Sequence, residues 1–533
     1  MRREVTGART AQRRGDIMPV DRPRILLIMA DQLTRRVLGT FGGPVPTPGL
    51  DCLREKGIDF VQTVTPFAVC SPARASIVID LYPHTHAIVH NAMSQDYPMA
   101  AGDRVDLGIT PSEQATEGIL HHYSYHVTHR DKWHLSDQPL AYYPVMFREH
   151  QEYAVEMAAE FTAVRRAFAE HQQWYGWTLP VEVAPVVRMQ RAALADTSDQ
   201  RSARFEQFNW REEATWKMGK LPWPEATHFD VRATSAAIRS IEEAVNAGQP
   251  FMVTCSLNNP HDPNVAPDPY YSQFDPAAID LPLSYGNCGE HHRACLSRRR
   301  FERWGEAGDR EFLRIYYAQV AMVDRQIQRL LDALDRLRLT ENTLVLFTSD
   351  HGDMAGAHGM TWKSTEAFYE EVVRVPLLLR WPAQLSSRVD ERRVNLVDLQ
   401  PTILDAAGVT PERPVQGHSL LRSAANGVWA YAISERIRHD STTRQVAATD
   451  PLSIMLRTPQ VQLVHYANGG EELFDLANDP LELTNRVADP SMAAERACLL
   501  RLLVSWMEQT AHPQVARYRQ LITTQPFGLA TVW

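Results

Sequence analysis

Three apolar runs of strand length, each ending in polar groups, constrain this chain more than any other feature. Arg24-Ile25-Leu26-Leu27-Ile28-Met29-Ala30 runs directly into Asp31. Phe251-Met252-Val253-Thr254-Cys255-Ser256-Leu257 leads through Asn258-Asn259-Pro260 to His261, and Thr343-Leu344-Val345-Leu346-Phe347-Thr348-Ser349 ends at Asp350-His351-Gly352. A strand with one wet face alternates apolar and polar residues. Nearly continuous apolar runs therefore read as strands covered on both faces, as in a parallel sheet. Polar groups at the carboxyl ends of such strands converge on one edge, where α/β proteins bind ligands.

Helical patterns precede two of these runs. Phe312, Ile315, Val320, Val323, Ile327, Leu330, Leu331 and Leu334 recur at helical spacing within Glu311 to Leu337, ahead of the Thr343 run. Ala237, Ile238, Ile241, Ala244 and Val245 do the same ahead of Phe251. Two helix-to-strand steps define an α/β fold with a mostly parallel sheet flanked by helices. Past about residue 425 the pattern shortens. Ser453–Leu456, Val461–Val464 and Leu473–Leu476 read as strands and Asn468-Gly469-Gly470 as a turn, which suits a smaller antiparallel α+β subdomain. The expected organisation is a disordered tail over 1–22, a catalytic α/β domain over 23–425 and a C-terminal subdomain over 426–533. A chain of 533 residues accommodates one large domain and a smaller one.

With 44% hydrophobic and 22% charged residues the composition is that of an ordinary globular protein. The net charge of -9 argues against a nucleic-acid partner, so an anionic substrate has to be drawn in by a local cationic pocket. Cys52, Cys70, Cys255, Cys288, Cys295 and Cys498 show no disulfide-framework spacing, which suggests a reducing, cytoplasmic compartment. No apolar stretch has signal-peptide length near the start, and none approaches the roughly 20 residues that span a membrane.

Cys70-Ser71-Pro72-Ala73-Arg74-Ala75-Ser76 carries the chemistry. Pro72 suits the first helical position, which puts Cys70 at or just before a helix N-terminus, where free N–H groups favour anions. Arg74, one turn on, is a planar donor suited to sulfate or phosphate oxygens. Asp31, Asp350 and His351 are candidate metal ligands, since strand-end carboxylates offer hard oxygens to a divalent cation. Calcium is the first choice, and the imidazole leaves room for manganese.

These residues resemble the signature of the type I sulfatases of the alkaline phosphatase superfamily, in which the cysteine of C-x-P-x-R is oxidised to Cα-formylglycine by a formylglycine-generating enzyme. The match is Cys70, Pro72 and Arg74, continuing through Leu81-Tyr82-Pro83-His84, with Glu472-Leu473-Phe474-Asp475-Leu476 similar to the family's closing segment. Lys132-Trp133-His134 resembles the Gly-Lys-Trp-His motif with Asp131 in place of glycine, and Val78-Ile79-Asp80 stands where Leu-Thr-Gly is usual. The resemblance implies an alkaline-phosphatase-like fold and a metal held by Asp31, Cys70, Asp350 and His351. It also implies that Lys132, His134, His261 and Lys363 bind sulfate or act on the leaving oxygen. Gln32 and Asn91 fall where the choline-sulfatase and phosphonate branches bind substrate, although Asn91 also suits a turn. In the implied mechanism the formylglycine hydrate attacks sulfur while Arg74, Lys132, Lys363 and the metal stabilise charge on the equatorial oxygens. Its second hydroxyl then expels sulfate.

The function expected is hydrolysis of a small-molecule or carbohydrate sulfate ester. The alternative on the same scaffold is a phosphonate monoester or phosphodiester hydrolase, favoured by Gln32, Asn91 and Ala266-Pro267-Asp268-Pro269-Tyr270. A rival of another class is a non-catalytic binding protein, motivated by Ile79, Asp80 and Asp131. Trp174, Tyr175, Trp177, Trp210, Trp216 and Trp223 suit either a pocket mouth or core packing. Cys288, His291, His292 and Cys295 are spaced too tightly for a usual zinc pattern and read as a surface loop.

Overall fold

The protein is described by a computed structural model over residues 22–91, 115–135, 218–221, 225–262, 264–286, 305–363, 368–422, 429–438 and 446–524. The amino-terminal tail, the six aromatic residues between Trp174 and Trp223, and the Cys288–Cys295 cluster lie outside the described residues.

The three apolar runs form the centre of a seven-stranded sheet. In chain order the strands are β1 (Arg24–Asp31), β2 (Ile58–Val64), β3 (His126–Asp131), β4 (Met218–Leu221), β5 (Phe251–Pro260), β6 (Asn264–Pro267), β7 (Thr343–Ser349), β8 (Leu377–Arg380) and β9 (Arg388–Asn395). The sheet order is β3-β5-β1-β7-β8-β2-β9, while β4 and β6 form a separate parallel pair. β1 pairs in parallel with both β5 and β7, and β8 runs antiparallel to its two neighbours.

Alternation along β1 explains why it carries no polar face. Leu26, Ile28 and Ala30 enter one core with the helices α1 (Pro48–Glu55), α3 (Phe229–Asn246) and α4 (Gly305–Arg336). Ile25, Leu27 and Met29 enter the opposite core with α2 (Cys70–Ile79) and α5 (Leu399–Ala406). Successive side chains point to opposite faces, and both faces here are covered by helices. Each fully buried Leu or Ile contributes roughly 1.5–3 kcal/mol of transfer free energy.

A four-stranded antiparallel sheet follows in the order β10 (Ala432–Ile437), β11 (Leu452–Arg457), β12 (Val461–His465), β13 (Glu471–Asp475). The strand β10 was not anticipated from sequence. Its core, with α6 (Ala493–Gln509) and α7 (Val515–Thr524), also takes in Phe67, Val69 and Tyr82 from the segments flanking α2. None of the helices among the described residues is long and apolar enough to cross a membrane.

Candidate active site

The carboxyl ends of β1, β5 and β7 and the first turn of α2 meet at one place. Cys70 is the first residue of α2, and Pro72 is the third, not the first as expected. The shift is tolerated because the first intrahelical bond runs from Ala73 N to Val69 O, so the missing Pro72 N–H has no helical acceptor to lose. Asn91 Oδ1 accepts from Ser71 N at 3.1 Å, which places Asn91 as a side-chain cap one residue from Cys70.

Loop ends are stitched to hold the ligands. Ser349 Oγ accepts from Leu33 N at 2.9 Å and donates to His351 O at 2.7 Å, tying the end of β1 to that of β7. Asp350 Oδ1 accepts from Gln32 N at 3.1 Å and from His351 N at 2.9 Å. Gln32, Asp131 and His134 hold positive φ of 64°, 69° and 58°, in the left-handed region, where each non-glycine residue costs about 1–3 kcal/mol. Strain of this kind persists only where the surroundings over-determine it.

One donor atom from each of Asp31, Cys70, Asp350 and His351 lies within 4.8 Å of the others, and all four residues are fully buried. Cys70 Sγ is 3.2 Å from His351 Nε2 and 3.6 Å from Asp31 Oδ1. His351 Nδ1 sits 2.9 Å from the Gly352 carbonyl, which assigns the proton to Nδ1 and turns the Nε2 lone pair into the cluster. Burial disfavours a further proton on His351, Asp350 and Cys70 favour it, and the net shift is upward. A divalent cation replaces such a proton, so the donor set fits a metal with hard-oxygen and imidazole preferences. Gln32 Oε1 is a further buried oxygen without a hydrogen-bond partner, while its Nε2 donates to Asp353 Oδ2 at 2.6 Å.

Cationic groups complete the cluster. Arg74 donates from Nε to Asp350 Oδ2 at 2.8 Å and from Nη1 to Ser256 Oγ at 2.7 Å, with Nη2 3.3 Å from Asp31 Oδ2. Lys132 Nζ pairs with Asp31, and Lys363 Nζ lies 3.3 Å from Cys70 Sγ and 2.9 Å from His261 Nε2. His134 hydrogen-bonds Cys70. Burial pushes the Cys70 thiol up, but Lys132, Lys363 and His351 outweigh it and hold the thiol well below its ordinary value. Burial and Cys70 likewise oppose ionisation of Asp31, and Lys132, His261 and Arg74 prevail to lower it. Lys132 is disfavoured by burial yet raised overall, chiefly by Asp31.

The structure therefore brings together Asp31, Cys70, Arg74, Lys132, His134, His261, Asp350, His351 and Lys363, with Gln32 and Asn91 at the margin. Sequence reasoning missed Ser256, Asp353 and Tyr316, whose hydroxyl donates to Gln32 O at 2.7 Å. A polar Ser256 inside an otherwise apolar buried strand was the one available signal.

The fold is shared with solved structures of a phosphonate monoester hydrolase and of sulfatases. The phosphonate monoester hydrolase of Agrobacterium radiobacter superposes with a TM-score of 0.65 at 22% identity, covering 92% of this chain and 96% of that one. A family model described as Sulfatase matches residues 23–409, and one described as N-sulphoglucosamine sulphohydrolase, C-terminal, matches residues 356–509. The chain belongs to the sulfatase family and is a sulfuric ester hydrolase. It is 26% identical to an uncharacterized sulfatase, YidJ, of Escherichia coli, over 92% of this chain and 88% of that protein. It is 25% identical to the choline-sulfatase of Rhizobium meliloti, over 90% and 86%.

Proposed function

We propose that the protein hydrolyses a sulfate monoester, with Cys70 matured to formylglycine and a divalent ion, calcium or alternatively manganese, held by Asp31, Cys70, Asp350 and His351. The observation that carries this reading is the placement of Cys70 between those ligands and two lysines. The Cys70 thiol stands in for a formylglycine hydrate, which supplies the nucleophilic hydroxyl and a second hydroxyl for sulfate release, while the ion polarises oxygens beside it. Three cationic side chains, Arg74, Lys132 and Lys363, face two carboxylates, so a neutral nucleophile and an added cation leave the site seeking an anion.

Each protein group has a role in this reading. Arg74, fixed by Asp350 and Ser256, orients the nucleophile's surroundings, and Lys132 and Lys363 neutralise charge on the sulfate oxygens. His261 Nδ1 is 2.9 Å from the Asp262 carbonyl, which leaves Nε2 to share a proton with Lys363 Nζ. That pair delivers the proton to the departing alkoxide. A solved structure of the same fold holds its substrate D-glucosamine-2-N,6-O-disulfate, which supports a sulfated carbohydrate as substrate class. The maturation enzyme is the partner this reading requires. A cytoplasmic setting belongs to it too, in keeping with free thiols at Cys52, Cys70, Cys255 and Cys498.

The second reading, a phosphonate monoester or phosphodiester hydrolase, is favoured by Gln32 and Asn91 beside the cluster. A diester needs room for a second substituent where the half-buried Lys132 and His134 stand beside Cys70. Peptide mass spectrometry of protein made with a maturation enzyme is expected to show an aldehyde at position 70. In side-by-side assays kcat/KM is expected to be higher for an aryl sulfate than for a phosphonate monoester, and Lys132→Ala to harm sulfate hydrolysis most. An unmodified thiol, or faster phosphonate turnover, contradicts the reading.

A further inference from the structure

Residues 354–362 form the loop that leads from the Asp350–His351 pair to Lys363, and one buried carboxylate holds both of its ends. Asp353 Oδ1 accepts from Ala355 N at 2.7 Å and from Trp362 N at 2.9 Å, while Oδ2 accepts from Gln32 Nε2 at 2.6 Å. We infer that Asp353 is a positioning residue for Lys363, which it places against His261 by closing this loop on the end of β1. In the sulfate-ester reading, on which this rests, Lys363 and His261 deliver the proton to the departing alkoxide.

The loop does not hold its shape by itself. Ala355, His358 and Trp362 take φ of 42°, 55° and 70°, left-handed backbone that non-glycine residues keep only where their surroundings impose it. Met354, Ala357 and Met360 bury in a small core with Tyr369 and Phe474, which fixes the middle of the loop. The ends are fixed by Asp353 and by Met354 N, which donates to Trp362 O at 3.0 Å. Trp362 is thus gripped at both N and O, and its Nε1 donates to Asp262 Oδ1 at 3.1 Å. The adjoining residues make the reactive contact, with Lys363 Nζ 2.9 Å from His261 Nε2 and 3.3 Å from Cys70 Sγ. A lysine reaches its target through a flexible four-carbon stem, so the place of its amine depends on where the backbone starts it.

Asp353 is only 1% exposed and is bonded within the protein through both oxygens, so it acts through the loop and not on the substrate. Asp350 and His351 are tied separately, by Gln32 N, by Ser349 Oγ and by the bond from Gly352 N to Val372 O. Loosening the loop therefore moves Lys363 and leaves the two ligands in place.

A double-mutant cycle with Lys363 tests this in the matured full-length enzyme, with an aryl and an alkyl sulfate as substrates. Asp353→Ala removes the clamp. It is expected to lower kcat/KM about a hundredfold for the alkyl sulfate, whose leaving oxygen needs the proton, and less for the aryl sulfate. Asp353→Asn keeps Oδ1 as acceptor for both loop N–H groups and is expected to be at least about tenfold faster than the alanine variant. Asp353→Ser is too short to reach both N–H groups, is expected to match the alanine variant, and carries the test if that variant does not fold. In a Lys363→Ala background Asp353→Ala is expected to cost less than about threefold more, because residues acting through one another are not additive. Metal content of Asp353→Ala by elemental analysis is expected to equal that of the native protein. Full additivity in the cycle, equal loss on both substrates, an asparagine variant as slow as the alanine one, or loss of metal overturns the inference. If the native protein hydrolyses phosphonate monoesters and no sulfate ester, the sulfate reading fails, and the same cycle on aryl and alkyl phosphonates still decides the role of Asp353.

Discussion

Asp80 ends α2 in the left-handed conformation, at φ 50°, where the sulfatase pattern has glycine. Glycine takes that conformation without penalty, and aspartate is held there because Oδ1 accepts from Gly417 N at 2.5 Å and Gln416 N at 3.2 Å. Oδ2 is buried without a partner, and burial pushes the carboxyl up to about 8 against the pull of the Gly417 N–H. The unfolded value is about 3.9, so the folded state binds the proton more tightly. Stability from this group is therefore full below about pH 4 and is lost as pH rises toward 8, by at most about 1.4 kcal/mol per unit. Asp80→Asn keeps the Oδ1 acceptor and removes the titration. Its urea midpoint is expected to gain on the native protein from pH 5 to 8, and parallel profiles would contradict the assignment. At this scale Cys70 and Arg74 were legible in their own types and spacing, and Lys132 and Lys363 only through the resemblance to the sulfatase motifs. Ser256 was not, because its partner Arg74 lies 182 residues away and a lone serine in a strand is a weak signal.

The β7 strand and its terminal loop show what an element contributes. Val345 and Phe347 enter one core and Leu344 and Leu346 the other, so the strand is fixed from both faces and the loop departs from a rigid base. Gly352 then passes so close to the Glu370–Val373 segment that a Cβ would lie 1.9 Å from Glu371 O, while its N–H donates to Val372 O at 2.8 Å. Backbone cannot yield as a flexible side chain does. Gly352→Ala is accordingly expected to displace Asp350 and His351, lowering bound metal below half an equivalent and turnover at least about a hundredfold, the scale of a 1 Å misplacement. Elemental analysis beside an activity assay checks this, and full metal content would refute it. The apolar runs made β1, β5 and β7 readable, and the helical spacing found the bodies of α3 and α4, with α4 starting six residues before the expected Glu311. β10 escaped notice because Ala432-Ile433-Ser434-Glu435-Arg436-Ile437 carries buried polar residues whose partners come from distant segments.

Across the whole molecule, Glu435 joins the nucleophile region to the C-terminal layer. Its Oε1 is 2.9 Å from His84 Nδ1 and 3.1 Å from His512 Nε2, with all three side chains essentially inaccessible. His84 Nε2 faces the Thr510 carbonyl at 3.3 Å, so both ring nitrogens of His84 lie against oxygen atoms. His512 Nδ1 accepts from Gln514 N at 3.1 Å, which puts its proton on Nε2 and leaves no lone pair there for a metal. Glu435→Gln would replace the acceptor shared by two buried rings and is expected to cost about 1–3 kcal/mol, read as a fall in the urea midpoint. An unchanged midpoint would show the three groups to be independent. The sheet order carries a temporal consequence as well. β1 is complete at Asp31, but its neighbours β5 and β7 end only at Pro260 and Ser349. At a synthesis rate of about 5–20 residues per second, a nascent β1 waits roughly 11–46 s for its first neighbour and roughly 16–64 s for its second. The cysteine that ends up sealed beneath the finished sheet edge is made 39 residues after Asp31, and so spends most of that interval before the sheet that buries it is complete.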